Sequence, residues 1–137
     1  MFEVKEYMET CNNSEFYQYM GRFFAERIFR KELPYLINDC DKIWYLFFDQ
    51  KELAAFCGVV MNQNGTTFTD FYVLPSYRNQ NNMTYIARYM TEMYESERIR
   101  ILTNSKEEME LWSSLGYVES GTKGSYTTFV HGELECV

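Results

Sequence analysis

Only one histidine, His131, occurs in the 137 residues, and the four cysteines, Cys11, Cys40, Cys57 and Cys136, form no Cys-x-x-Cys pair. That scarcity removes the usual zinc spacings, and the scatter of the thiols offers no disulfide framework. Reduced thiols in a cytoplasmic protein are the expectation, with buried cysteine acting as a small hydrophobe. A cysteine nucleophile would have no histidine partner near it in sequence. Long apolar runs are absent too, so no segment reaches the length needed to span a bilayer. Met1 to Glu6 has neither the basic start nor the apolar stretch of a signal peptide. Positive charge is in deficit: the formal net charge is −7. That balance argues against general nucleic-acid binding, which needs a basic face. It mildly favours cationic partners such as amines, and it also keeps a protein soluble. Repeats, linkers and low-complexity segments are missing, so residues 1–137 read as one domain, long enough to bury a core.

What is abundant is aromatic. Twelve tyrosines and eleven phenylalanines must fill much of the interior. Phe2 to Tyr7 reads as a strand. Asn12 with Glu15 marks a helix start, and Phe16, Tyr19, Met20, Phe23, Phe24 and Ile28 then form one apolar stripe. Pro34 sits at the first turn of an expected short second helix through Ile37. Strands follow over Ile43 to Phe48 and Leu53 to Met61. Asn64-Gly65 predicts a hairpin turn that starts the next strand at Thr66. Ile86, Tyr89, Met90 and Met93 recur at helical spacing, and Arg98 to Thr103 is a strand whose parallel placement needs that helix as a crossover. Ser105 and Glu108 make a capping box for a helix lined by Met109, Leu111, Trp112 and Leu115 and ended by Gly116. Tyr117 to Ser120 and Ser125 to His131 are the last strands, around a turn at Gly121 to Gly124. The fold class is α/β, with a mixed, twisted sheet of about seven strands flanked by helices.

The junction between the fourth strand and its helix carries the most information. Val73-Leu74-Pro75-Ser76-Tyr77-Arg78-Asn79-Gln80-Asn81-Asn82-Met83 runs from a strand into a helix without a glycine. Such a junction aims backbone N–H groups and the positive end of a helix dipole at one spot, which suits phosphate. The frame Val73-x-Pro75-x-x-Arg78 resembles the coenzyme A loop of the GCN5-related N-acetyltransferases, the GNAT superfamily. Asn81 and Met83 stand where that family usually has two small residues. Leu111-Trp112-Ser113-Ser114-Leu115-Gly116-Tyr117 resembles the family's Leu-Tyr-x-x-x-Gly-Phe segment. The order of elements matches over essentially the whole chain.

The resemblance implies acetyl-CoA as cosubstrate, with no metal. It implies a cleft between the strand ending at Val73 and the strand at Arg98 to Thr103. Backbone groups of Phe71, Tyr72 and Val73 would bond the pantetheine and polarise the thioester. Amides around Asn79, Gln80, Asn81, Asn82, Met83 and Thr84 would hold the pyrophosphate, aided by Arg78 and Arg88. Asn81 is tolerant of a left-handed backbone, whereas Met83 either fills phosphate space or turns back into the core. Trp112 replaces the family's proton-donating tyrosine, and an indole N–H has no useful acidity. Tyr117 is the candidate acid, with Tyr126 as its alternative. Asp70, the acidic residue of the strand entering the cleft, is the candidate base; its bland reading is an ion pair with a neighbouring lysine or arginine. His131 is expected at the surface.

Two functions stand at this level. One is transfer of an acetyl group to a small-molecule or protein amine by direct attack. The other is a non-catalytic binding module with a decayed cofactor site. A homodimer is compatible with either, given exposed strand edges. Fold alone does not choose between them.

Overall fold

The computed structural model describes residues 2–26, 36, 38 and 40–132. Its strands are β1 (Glu3–Tyr7), β2 (Ile43–Asp49), β3 (Glu52–Asn62), β4 (Gly65–Val73), β5 (Ile99–Thr103), β6 (Val118–Lys123) and β7 (Tyr126–His131). They form one seven-stranded sheet in the order β1-β2-β3-β4-β5-β7-β6. Every neighbouring pair is antiparallel except β4 and β5. Helix α1 (Ser14–Ala25) follows β1, α2 (Gln80–Met93) is the crossover from β4 to β5, and α3 (Lys106–Ser114) joins β5 to β6. The mixed sheet and the crossover helix agree with the fold read from the sequence.

The run Ile-Trp-Tyr-Leu-Phe-Phe in β2 is apolar on both faces because helices cover both. Successive side chains alternate across a strand. Trp44, Leu46 and Phe48 therefore meet Phe16, Met20 and Phe23 of α1. Tyr45 and Phe47 join Ile86 and Met90 of α2 and Trp112 of α3 on the other side. Each such side chain, when fully buried, contributes roughly 1.5–3 kcal/mol.

Several boundaries differ from the sequence reading, each for a local reason. Asn13 rather than Asn12 caps α1, accepting from the Phe16 amide at 3.0 Å. A single 3-10 turn, Thr10–Asn12, has already taken Asn12. The β3–β4 turn is centred on Gln63-Asn64, since Asn62 pairs with Gly65. Gly65 is still required there: its φ is +128°, and a Cβ would lie 2.3 Å from the Arg98 carbonyl oxygen. The last hairpin turns at Gly124-Ser125, because pairing between β6 and β7 continues to Lys123 and Tyr126. Ile28 and most of the short helix expected from Pro34 to Ile37 lie outside the described residues.

The expectation of reduced thiols is corrected. Cys11 and Cys40 form a disulfide, with Cα atoms 5.3 Å apart. Pairing of β1 with β2 sets Tyr7 opposite Trp44. The two cysteines lie just beyond that pair, one after β1 and one before β2, so the sheet brings them together. Asn38 knots the same corner, accepting from Thr10 Oγ1 and Trp44 Nε1, both at 3.0 Å, and donating to the Tyr17 hydroxyl. Cys57 is free and buried, and burial pushes its thiol pKa well up. Among the described residues no helix is long and apolar enough to cross a membrane.

Candidate active site

A cleft opens where β4 and β5 part. The two strands pair only through Thr66, Thr67 and Phe68 of β4, opposite Ile99, Arg100 and Ile101 of β5. Just past that point β4 carries a bulge. Phe68 faces Val59 and Asp70 faces Gly58, so Thr69 is an extra residue with no partner of its own. One extra residue shifts the phase of the strand's backbone groups by one. Leu74 donates to the Ala54 carbonyl at 2.9 Å, and Tyr72 lies opposite Phe56. By the alternation of an antiparallel ladder, Tyr72 therefore bonds β3, while the backbone groups of Phe71 and Val73 face the gap. The gap is a cleft of about 580 Å³, walled by β4 residues 67–73, by Ile101 to Ser105 and by the first turn of α3.

At one end of the cleft Lys42 and Asp70 form a buried ion pair, Nζ to Oδ2 at 2.8 Å, with side chains 7% and 8% exposed. Thr69 Oγ1 donates to the same carboxylate oxygen at 2.7 Å. Gly58 makes room for this group: a Cβ there would sit 2.8 Å from Asp70 Oδ2. The expected base thus lines the cleft, but as the anion of a salt bridge.

At the other end Arg78 curls back. Its Nε and Nη2 donate to the Val73 carbonyl at 3.0 and 2.8 Å, and its guanidinium lies 5.2 Å from the Tyr72 ring centroid. It fixes the strand–helix corner, and the Val73 carbonyl is already engaged. Asn79 caps α2, its side chain accepting from the Asn82 amide at 2.9 Å. Asn82 Nδ2 donates to the Tyr77 carbonyl at 2.9 Å. The Met83 amide is bonded to the Asn79 carbonyl. The amides of Gln80 and Asn81 are thus the ones at the helix start without an acceptor among the described residues. Asn81 is helical, and no residue from 74 to 84 has a positive φ. The absence of glycine from the loop therefore strains nothing.

Met83 is buried, 6% exposed, in the core cluster of α2 and α3. It also lines both the main cleft and a smaller groove of about 240 Å³. That groove lies between the start of α2 and α3, edged by Gln80, Thr84, Glu107 and Glu110. Met83 and Glu107, common to both, stand between groove and cleft. Arg88 is exposed on α2 and lines neither.

Tyr117 does not line the cleft. Its hydroxyl is buried against Thr91 Oγ1 at 2.8 Å, and burial raises its pKa. Tyr126 does line it. Trp112 is fully buried, 4.9 Å from Phe71 between ring centroids, as a packing residue. His131 is half-buried rather than at the surface, 4.9 Å from the Tyr117 ring.

Glu108, read from the sequence only as part of a capping box, is a carboxyl on the cleft wall that the sequence did not single out. Ser105 Oγ does accept from the Glu108 amide at 3.2 Å. The Glu108 carboxylate, however, does not return to Ser105. It accepts from Thr103 Oγ1 at 3.1 Å, and Thr103 Oγ1 accepts from the Ser105 amide at 3.1 Å. Burial pushes the Glu108 pKa up to about 7; Thr103, the Trp112 indole N–H and Arg78 pull it down in part. The indole makes no hydrogen bond of full geometry, so its effect is that of a nearby dipole. Helical spacing held a clue: Glu108 is four residues before Trp112 and three before Leu111, on the apolar face. Among the described residues there is no cluster of metal-ligating side chains.

The profile of the Acetyltransferase (GNAT) family matches residues 5–117. Solved structures share the fold. Escherichia coli ElaA superposes with a TM-score of 0.68 at 14% identity, over 96% of this chain and 100% of that one. A Bacillus subtilis acetyltransferase in complex with CoA gives 0.68 at 12%, over 98% and 100%. A GNAT family acetyltransferase from Elizabethkingia anophelis with acetyl-CoA bound gives 0.64 at 10%, over 93% and 97%. No curated protein sequence matches.

Proposed function

Since the chain belongs to the GNAT acetyltransferase family, we propose that it transfers an acyl group, acetyl in the first instance, from a coenzyme A thioester to an amine. One observation carries this reading: the Thr69 bulge turns the Phe71 and Val73 amides into a cleft that leads to the start of α2. Residues present fit the cosubstrate. The Gln80 and Asn81 amides, with the helix dipole behind them, suit a pyrophosphate. Thr84 and the groove between α2 and α3 offer a path for the rest of the nucleotide. The Phe71 and Val73 N–H groups suit the thioester oxygen as it becomes an oxyanion.

The amine attacks as the free base, the tetrahedral oxyanion collapses, and the carbon–sulfur bond breaks. No covalent enzyme intermediate is invoked, because Cys57 lies in the core with its thiol pKa raised and does not line the cleft. Base action by Asp70 and acid action by Tyr117 are not carried into this mechanism. Asp70 already holds Lys42 and Thr69, and Tyr117 holds Thr91 outside the cleft.

The acceptor belongs to the class of amines, whether polyamine, amino sugar or protein amine. We place the enzyme in the cytoplasm, where the Cys11–Cys40 pair would stand in exchange with reducing thiols. A homodimer joined through the exposed edge strand β6 belongs to the same proposal, and light scattering tests it. The function itself is tested by thermal unfolding with and without acetyl-CoA. A ligand at a hundred times its Kd adds about 2.7 kcal/mol. Release of free thiol in the presence of a panel of amines is the second expected result. Absence of any shift at millimolar acetyl-CoA would favour the binding module.

A further inference from the structure

We propose that Glu108 is the group that protonates the departing thiolate, an assignment that rests on the acyl-transfer reading above. When the tetrahedral intermediate collapses, the electron pair of the carbon–sulfur bond goes to sulfur. The Glu108 carboxylic acid gives sulfur its proton, the nitrogen loses its surplus proton to water, and the Glu108 carboxylate recovers one from solvent. The sum moves one proton from nitrogen to sulfur, with no other reactant.

Four features lead to this residue. Glu108 lines the same cleft as Phe71 and Val73, whose amides face the gap. Its carboxyl is held in place by Thr103 Oγ1, which the Ser105 amide orients in turn. Tyr117 and Tyr45 are engaged elsewhere, with Thr91 and Tyr94, which leaves Tyr126 on the cleft wall as the rival hydroxyl that the test below includes. The indole of Trp112, one turn further along α3, has no useful acidity.

A carboxyl that titrates at about 7 still carries its proton in a large share of molecules at neutral pH. An alkyl thiolate is the stronger base, so the transfer runs downhill. Charged and titratable groups around Glu108 are Arg78 from the loop before α2, Glu107 on its own helix, the buried Cys57 thiol of β3, and the Lys42–Asp70 pair with Tyr126 further along the cleft.

The test compares the wild type with Glu108→Gln, Glu108→Asp and Tyr126→Phe. Acetyl-CoA is the donor and hydroxylamine the generic acceptor, with thiol release followed from pH 5 to 9. Calorimetry with coenzyme A reports binding separately. Carboxyl-carbon NMR of glutamate-labelled protein reports the titration without needing turnover.

In the wild type, kcat should fall as pH rises past about 7, and one glutamate signal should titrate there. Glu108→Gln should lower kcat about a hundredfold, abolish that limb and remove that signal. Its KM for acetyl-CoA and its coenzyme A affinity should stay within a few-fold, and Glu108→Asp should recover part of kcat. A Glu108→Gln enzyme with unchanged kcat and pH profile overturns the assignment, as does loss of the limb in Tyr126→Phe instead. A wild type that binds no coenzyme A overturns the acyl-transfer reading itself, and this assignment with it; the calorimetry tells the two failures apart.

Discussion

The two ends of the cleft handle a buried carboxylate in opposite ways. At the β2 end, Asp70 has a full partner: Lys42 at 2.8 Å, with Thr69 completing the set. At the α3 end, Glu108 accepts one hydroxyl, and the nearest guanidinium has turned two of its donors to the Val73 carbonyl. Burial without a matched cation disfavours the charged form, so the Glu108 pKa climbs to about 7. A carboxylate held by a lysine is architecture. One left to a hydroxyl holds its proton to higher pH.

Breaking the paired end should have the largest effect. Lys42→Met leaves Asp70 buried without its cation and should cost about 3–5 kcal/mol in urea unfolding. The double variant Lys42→Met/Asp70→Leu should regain most of that loss. If Lys42→Met alone is neutral, the pair is not the structural element described.

The unpaired end should respond in the opposite direction, and only above acid pH. Glu108 binds its proton more tightly folded, near pH 7, than unfolded, near 4.5. The Glu108 contribution is therefore nil below pH 4.5, becomes destabilising as pH rises through that window, and reaches its full deficit above 7. Glu108→Gln should remove this slope, leaving the variant more stable than the wild type at pH 8 by up to about 3 kcal/mol. A stability difference between the two proteins that is the same at pH 4 and pH 8 would contradict the raised pKa.

Two smaller changes probe the donor end further. Met83→Ala should cost about 2 kcal/mol as a core truncation. It should also merge cleft and groove, so calorimetry should show tighter coenzyme A binding despite the lower stability. Asn81→Gly should cost up to about 1 kcal/mol, as glycine does in a helix, and should bring no tighter binding, because Asn81 needs no positive φ.

The β2–β3–β4 meander, the crossover helix and the Ser105 cap were legible because each rests on local pattern: period two, period 3.6, a hydroxyl three residues before its amide. Asn13, Gln63-Asn64 and Gly124-Ser125 fell one or more residues from the expected boundaries, where neighbouring turns or continued pairing moved the end of an element. The Cys11–Cys40 bond was hidden because it depends on β1 finding β2 across 29 residues of sequence separation. Glu108 was hidden for a related reason. Lys106-Glu107-Glu108 reads as a solvated first turn, and only the packing of α3 against the end of β5 buries its third member. At the α2 loop the sequence suggested a conformational problem at Asn81 that does not exist. The turn back into the core considered for Met83 is the one it makes.

The unpaired Thr69 has a consequence for how the cleft's geometry is inherited. The donors it aims at the cleft are main-chain amides, which every residue but proline owns. Replacing the side chains of Phe71 or Val73 changes packing but leaves those N–H groups in place. Inserting or deleting a single residue before Asp70 would rotate all of them away at once. The site is thus written in the spacing of β4 more than in its spelling. Substitutions can accumulate across such a strand while the amides stay aimed, and a one-codon deletion is the change it cannot absorb.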